Sequence, residues 1–163
     1  MTVAMWHYWD ASALVKVVAI DPDESPGRDA VREFFHNRGL HRTTSYCLAE
    51  ALSAFKLKWR RDLITRDEYL HCVSEFFRLV VSHLEEDEVP LALQLRAEAE
   101  RLIKAHDLDF IDAIQLVTIL RGKYSVLVGD SQSLFITADH RLAVAARKEG
   151  ARVWECTRPL ESY

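Results

Sequence analysis

Apolar and polar positions along the chain fall into alternating short apolar runs and longer amphipathic stretches. Val3–Trp9 is aromatic and apolar and suits a strand covered on both faces. Asp10 closes it, and Ser12–Val18 predicts a helix that follows with almost no loop. Ile20–Gly27 is a loop by composition, and Ser25-Pro26 predicts a helix start that runs through Val31, Phe34 and Phe35 to Asn37–Gly39. Leu40–Thr43 is a short second strand. Thr44 or Ser45 caps a helix with Leu48, Leu52, Phe55 and Trp59 on one stripe. Thr65-Arg66-Asp67-Glu68 is a capping box, opening a helix toward Leu79; Leu79–Leu84 reads as a third strand, and Phe76–Val81 reads equally as a continuation of the helix. A long helix begins between Asp87 and Pro90 and fades at His106, and another spans Asp109–Leu120. Tyr124–Val128 is apolar and β-branched. Leu134–Thr137 is a strand, His140–Lys148 a helix and Arg152–Glu155 a strand. Strands alternating with helices predict a single domain over residues 1–163, a three-layer α/β/α fold on a central parallel sheet of four to five strands.

Composition adds limits. Of 163 residues 49% are hydrophobic, enough for a full core and too many for a disordered chain. The net charge of −4 does not advertise a nucleic-acid binder, although a local basic stripe would serve. Cys47, Cys72 and Cys156 are far apart and form no CxxC, which points to a reducing compartment and to buried thiols. No apolar stretch reaches the length of a membrane span, so the chain reads as soluble and cytoplasmic.

Four carboxylates stand out against this pattern. Asp10 sits at the carboxyl end of a strand, where open α/β sheets bind ligands, although Asp is also a favoured helix cap. Asp112 shares a helix face with Leu116 and Ile119, so its charge is at least partly buried, which is costly unless it is paired or bound to a metal. Glu50 projects from a face of small residues with Cys47, Ser53 and Ala54. Asp139 follows a strand and opens a helix, as Asp10 does. Asp109 fits a helix cap better than a site. Clustered acids raise one another's pKa, and hard divalent cations relieve that strain through oxygen ligands. No HxH or HExxH arrangement points to zinc.

Asp10-Ala11-Ser12-Ala13-Leu14-Val15-Lys16, Ser45 to Glu50-Ala51, Asp112-Ala113-Ile114-Gln115-Leu116 and Thr137-Ala138-Asp139-His140-Arg141-Leu142 occur in that order. Together they resemble the PIN domain, particularly the VapC-type toxins of bacterial toxin–antitoxin pairs, over essentially the whole chain. The resemblance implies an Mg²⁺- or Mn²⁺-dependent endoribonuclease. It implies that Asp10, Glu50, Asp112 and Asp139 form the catalytic metal site, with Ser12 and Thr137 supporting it; Asp109 either joins that site as a further supporting acid or only caps its helix. It also implies a homodimer and a cognate antitoxin protein. Two features depart from the family pattern: Lys123–Ser133 lies between the last two motifs, and Asp109 is an additional acid.

Acidic walls repel RNA, so basic residues must counter them. Lys56, Lys58, Arg60 and Arg61, with Arg66 nearby, form the densest cluster, and Lys16 is a second candidate for RNA binding. The same cluster also reads as a solvated helix end. Rival readings are a non-catalytic RNA- or partner-binding module and a DNA-directed, structure-specific nuclease. An aspartyl-phosphate enzyme of the haloacid dehalogenase type requires a second Asp two residues after Asp10, and position 12 is Ser.

Overall fold

The aromatic run becomes the middle strand of the sheet. The computed structural model describes residues 5–87, 93–122 and 134–160. β1 (Trp6–Trp9) pairs in parallel with β2 (Leu40–Thr43) on one side and with β4 (Phe135–Thr137) on the other. β3 (Leu84–Glu86) lies outside β2, and β5 (Val153–Glu155) outside β4, giving the all-parallel order β3-β2-β1-β4-β5. Seven α-helices among the described residues cover the sheet: α1 (Ala11–Val18), α2 (Arg28–Asn37), α3 (Ser45–Arg60), α4 (Arg66–Glu75), α5 (Leu93–His106), α6 (Phe110–Arg121) and α7 (His140–Lys148). The fold is therefore a three-layer α/β/α sandwich. The chain runs outward from β1 to β3 and then returns to β4, so the strand order reverses beside β1. Such a reversal opens a crevice at the carboxyl ends of the strands.

Alternation within the strands builds a core on each face. Trp9, Leu134, Ile136 and Trp154 pack with α1, α2 and α3 and with Cys72, Phe76 and Val80. Tyr8, Phe135 and Val153 pack with α5, α6 and α7. Each fully buried large side chain contributes roughly 1.5–3 kcal/mol by leaving water. The ring nitrogens of Trp9 and His41 inside the first core are matched. Trp9 Nε1 donates to His41 Nδ1 at 3.0 Å, and His41 Nε2 donates to the Phe35 carbonyl at 2.7 Å. The His41 ring also stacks on Phe35 at 4.5 Å between centroids. These bonds pin α2 to the sheet.

The helix signals hold locally. Thr44 caps α3 by accepting from Cys47 N, and Thr65 and Glu68 complete the capping box of α4. Two boundaries move. The third strand is Leu84–Glu86, not Leu79–Leu84, because Phe76–Val80 continues α4 as a π-helical turn that buries Phe76 and Val80. The apolar run there serves helix packing, not a strand. The helix expected at Ser25-Pro26 begins at Arg28, after a 3-10 turn at Pro22–Glu24. The expected element at Tyr124–Val128, the segment Lys123–Ser133 that contains it, and the start of the long helix near Pro90 lie outside the described residues. Among the described residues no helix is long and apolar enough to cross a membrane.

Gly27 caps α2 with φ 73°, and a methyl group on it would overlap the Cys156 carbonyl oxygen. Gly150 has φ 91° but open space around it. Gly150→Ala should therefore cost only backbone strain, about 1–2 kcal/mol. Gly27→Ala adds a clash with backbone and should cost about 3 kcal/mol or more. Urea unfolding midpoints of the two variants compare them directly. Equal losses would show that the close approach of Gly27 to the end of β5 does not constrain the fold.

Candidate functional site

Asp10 leaves β1 in extended conformation and caps α1. Its Oδ2 accepts from Ser12 N at 3.2 Å, from Ser12 Oγ in a short bond, and from Thr137 Oγ1 at 3.0 Å. Ser12 Oγ accepts in turn from Ala138 N at 2.9 Å, and Thr137 Oγ1 accepts from Asp139 N at 3.0 Å. Two hydroxyls thus join the turn after β1 to the turn after β4. The carboxylate is 4% exposed. Burial pushes its pKa up, and the bonds from Ser12 and Thr137 oppose that rise.

The other acids converge on the same crevice. A cavity of about 360 Å³ is lined by Asp10, Ser12, Glu50, Asp109, Asp112 and Asp139, with Glu24 also on its wall. Among the described residues no Lys or Arg lines it. Glu50 comes from the second turn of α3, Asp112 from the first turn of α6, and Asp139 from the cap of α7, where its Oδ1 accepts from Leu142 N at 3.0 Å. Asp109 caps α6 by accepting from Asp112 N at 2.9 Å and is itself exposed. Burial raises the Asp112 pKa to about 8, reinforced by the negative charges of Asp10, Asp109, Asp139 and Glu50. Burial also raises Glu50, followed by the charges of Asp10, Asp109 and Asp139.

The donor set decides which cation would fit. Ligand atoms of Asp10, Cys47 and Glu50 lie within 4.8 Å of one another. Burial, with the Asp10 charge behind it, pushes the Cys47 thiol up to about 12. Its Sγ donates to Gln115 Oε1 at 3.1 Å. Cys47 therefore stays a protonated, hydrogen-bonded thiol, and the donors that remain are carboxylate oxygens. Oxygen donors suit a hard divalent cation such as Mg²⁺ or Mn²⁺.

The basic candidates separate. Lys16 is 3% exposed and binds Glu24 Oε2 at 3.0 Å. Lys58 binds Asp21 at 2.8 Å and Glu24 at 2.9 Å. Both are spent on a buried ion-pair network that ties α1 and α3 to the Pro22–Glu24 turn, so they do not face a ligand as the sequence suggested. Lys56 lies over the Trp59 ring at 4.0 Å and near Tyr69 at 5.2 Å. Arg60 and Arg61 are exposed at the end of α3, and Arg66 is exposed at the start of α4.

One buried residue escaped the sequence reading. Gln115 is 1% exposed, its Nε2 donates to the Trp9 carbonyl at 3.1 Å, and its Oε1 accepts from Thr44 Oγ1 at 3.1 Å. Thr43 Oγ1 donates to the same Trp9 carbonyl at 2.8 Å. These bonds fix the end of β1 just before Asp10 and link it to α3 and α6, which carry Glu50 and Asp112. The signal was a single amide within the apolar stretch Ala113–Ile119.

No family model and no curated protein sequence matches this chain. The chain is similar in structure to PAE2754 from Pyrobaculum aerophilum, known from its crystal structure, with a TM-score of 0.61. The two share 18% identity, and the likeness covers 94% of this chain and 92% of that one. At that identity the likeness is one of fold.

The raised Asp112 pKa fixes a sign for stability. The folded state holds a proton that the unfolded chain has released, so stability is present at low pH and is lost as pH rises from about 4 toward 8. In EDTA at pH 8, Asp112→Asn should therefore stabilise the protein by on the order of 1 kcal/mol, a Tm gain of about 2–4 °C. At pH 4 the gain should vanish. Scanning calorimetry at the two pH values checks this, and a variant less stable than wild type at pH 8 would contradict a repulsive cluster.

Proposed function

We propose that this protein is a metal-dependent endoribonuclease and the toxin of a toxin–antitoxin pair. The observation that carries the nuclease reading is the convergence of Asp10, Glu50, Asp112 and Asp139, from four separate elements, on one cavity without a lining Lys or Arg among the described residues. An acidic cluster of this kind destabilises itself, and a hard divalent cation is the partner that relieves it. The toxin assignment, with a cognate antitoxin and a homodimer, rests on the resemblance of the four motifs to VapC-type PIN domains.

In this reading Asp10, Glu50, Asp112 and Asp139 hold the cation, Mg²⁺ or Mn²⁺. A divalent ion held by these carboxylates would supply Lewis-acid chemistry toward a phosphodiester of RNA. Ser12 and Thr137 hold the Asp10 carboxylate in one orientation through their hydroxyls. Asp112 keeps its proton near neutral pH when the cluster is empty of charge partners, and loses it when a cation favours the ionised form. Gln115 acts through the backbone, keeping the end of β1 in register with α3 and α6. Among the described residues no Ser-His or Cys-His pair stands at this edge: Ser12 is bonded to Asp10, and Cys47 is a protonated thiol.

Wild type and Asp112→Asn, both shown to be folded, should be compared on structured and unstructured RNA with Mn²⁺ or EDTA. Cleavage should require the metal and fall at least about a hundredfold in the variant. Metal-dependent cleavage that survives in Asp112→Asn would overturn the assigned site. Absence of divalent-ion binding to wild type by titration calorimetry would overturn the nuclease itself. Cleavage confined to branched DNA would replace the substrate and keep the site.

A further inference from the structure

The cavity is walled by acids, and the two nearby lysines are neutralised internally: Lys16 and Lys58 face Asp21 and Glu24. A polyanionic strand drawn to this edge needs cations that are not already balanced. They stand one strand away. Glu155 ends β5 and is register partner to Thr137, whose hydroxyl binds Asp10. Neighbouring strands lie about 4.8 Å apart, so Glu155 stands one strand spacing from Thr137 and two from Asp10.

Glu155 is 5% exposed, yet three basic groups from separate positions gather on it. His140 Nδ1 lies 3.1 Å from Oε1, Arg158 Nε 3.3 Å from the same oxygen, and Arg147 Nη1 3.6 Å from Oε2. His140 directly follows Asp139 of the site. The positions are built rather than incidental. Arg158 N donates to the Glu155 carbonyl at 3.0 Å, and the Arg158 carbonyl accepts from Trp154 Nε1 at 3.0 Å. Arg147 stands in the last turn of α7. One buried carboxylate thus anchors two guanidinium groups, and their side chains remain exposed, 44% for Arg147 and 67% for Arg158. Among the described residues, the two arginines outweigh the single Glu155 charge whatever His140 carries. Buried anchor and exposed forks together make a positive ledge beside a negative cavity.

We infer that Arg147 and Arg158, positioned by Glu155, form a phosphate-binding ledge that seats the backbone of single-stranded RNA next to the acid site. The inference rests on the nuclease reading for its substrate class. Arginine forks match phosphate oxygens in pairs. The ledge reads no base, so it contributes affinity and register rather than sequence preference. It replaces the basic cluster at the end of α3 as the surface that counters the acids.

The test uses a labelled single-stranded RNA of roughly a dozen nucleotides. Its binding is followed by fluorescence anisotropy across a salt series in EDTA, with Asp112→Asn as the background so that the strand stays intact. Adding Arg147→Gln and Arg158→Gln should weaken binding roughly tenfold and flatten the slope of log affinity against log salt by about 1.4. Arg147→Lys with Arg158→Lys should recover most of the slope, which a collapsed edge would not. Lys104→Gln, on the exposed face of α5, should change nothing. An unchanged slope in the double Gln variant overturns the ledge, as does absence of salt-dependent binding in the background protein. Tighter competition by a polyglutamate peptide than by unlabelled RNA also overturns it, in favour of an acidic protein partner. A separate arm measures Mn²⁺-dependent cleavage with Asp112 intact. Full kcat/KM in the Arg147→Gln/Arg158→Gln variant sinks the ledge and leaves the nuclease standing. Binding that follows the ledge without any cleavage by wild type does the reverse.

Discussion

A buried carboxylate tied to two distant turns is the constraint on which the site depends. Asp10 ends the central strand, and its Oδ2 takes hydroxyl bonds from Ser12 and Thr137, residues that lie far apart in sequence. An ionised group this enclosed is unstable without such partners. The bonds also lock the two carboxyl ends of β1 and β4 to each other, and those ends bound the crevice made by the reversal of strand order. Once the edge is fixed, α1 and α7 have set starting points, and Asp139 is placed with them. Glu50 and Asp112, on α3 and α6, are tied to the same edge through Gln115 and the Trp9 carbonyl.

Capping and ligand binding need not be alternatives for these acids. Asp10, Asp109 and Asp139 each accept from a backbone N–H in the first turn of a helix. The N-terminal ends of α1, α6 and α7 therefore all meet the cavity. Helix N-termini carry partial positive charge, worth about 0.3–1 kcal/mol for each nearby anion. That offset is small against the burial, reinforced by mutual repulsion, that lifts Asp112 to about 8. The caps make the cluster tolerable without neutralising it, which leaves a strong field for a small cation.

Much of this was legible in the sequence. The order of elements follows from apolar periodicity and from strong local caps such as Thr65 with Glu68. Asp112 betrayed itself by sitting on an apolar helix face. The third strand was misplaced because Leu79–Val81 is as apolar as a strand, and only packing of Phe76 and Val80 against α1 and α3 makes it helical. Lys16 and Lys58 read as free cations because their partners, Asp21 and Glu24, are placed by a turn whose path the sequence does not state. Glu155 gave no signal at all. A lone acid at the end of a short strand is common, and what sets this one apart is that His140, Arg147 and Arg158 gather on it from α7 and the turn after β5.

Charge in this protein is sorted along one edge of the sheet rather than scattered. Toward α1 and α3, two lysines meet two acids and cancel in a buried network. In the middle, acids gather without a basic lining residue among those described. Toward β5, arginines outnumber the single carboxylate that holds them. Net charge is mildly negative, at −4, and reveals none of this. Removing Glu155 would not simply make the β5 end more positive, because the same carboxylate that subtracts one charge fixes where the two guanidinium groups stand. A surface meant only for solubility has no need of a buried anchor, and exposed ion pairs alone contribute little stability. The cost of burying Glu155 is understandable if the positions of Arg147 and Arg158 matter as much as their charge.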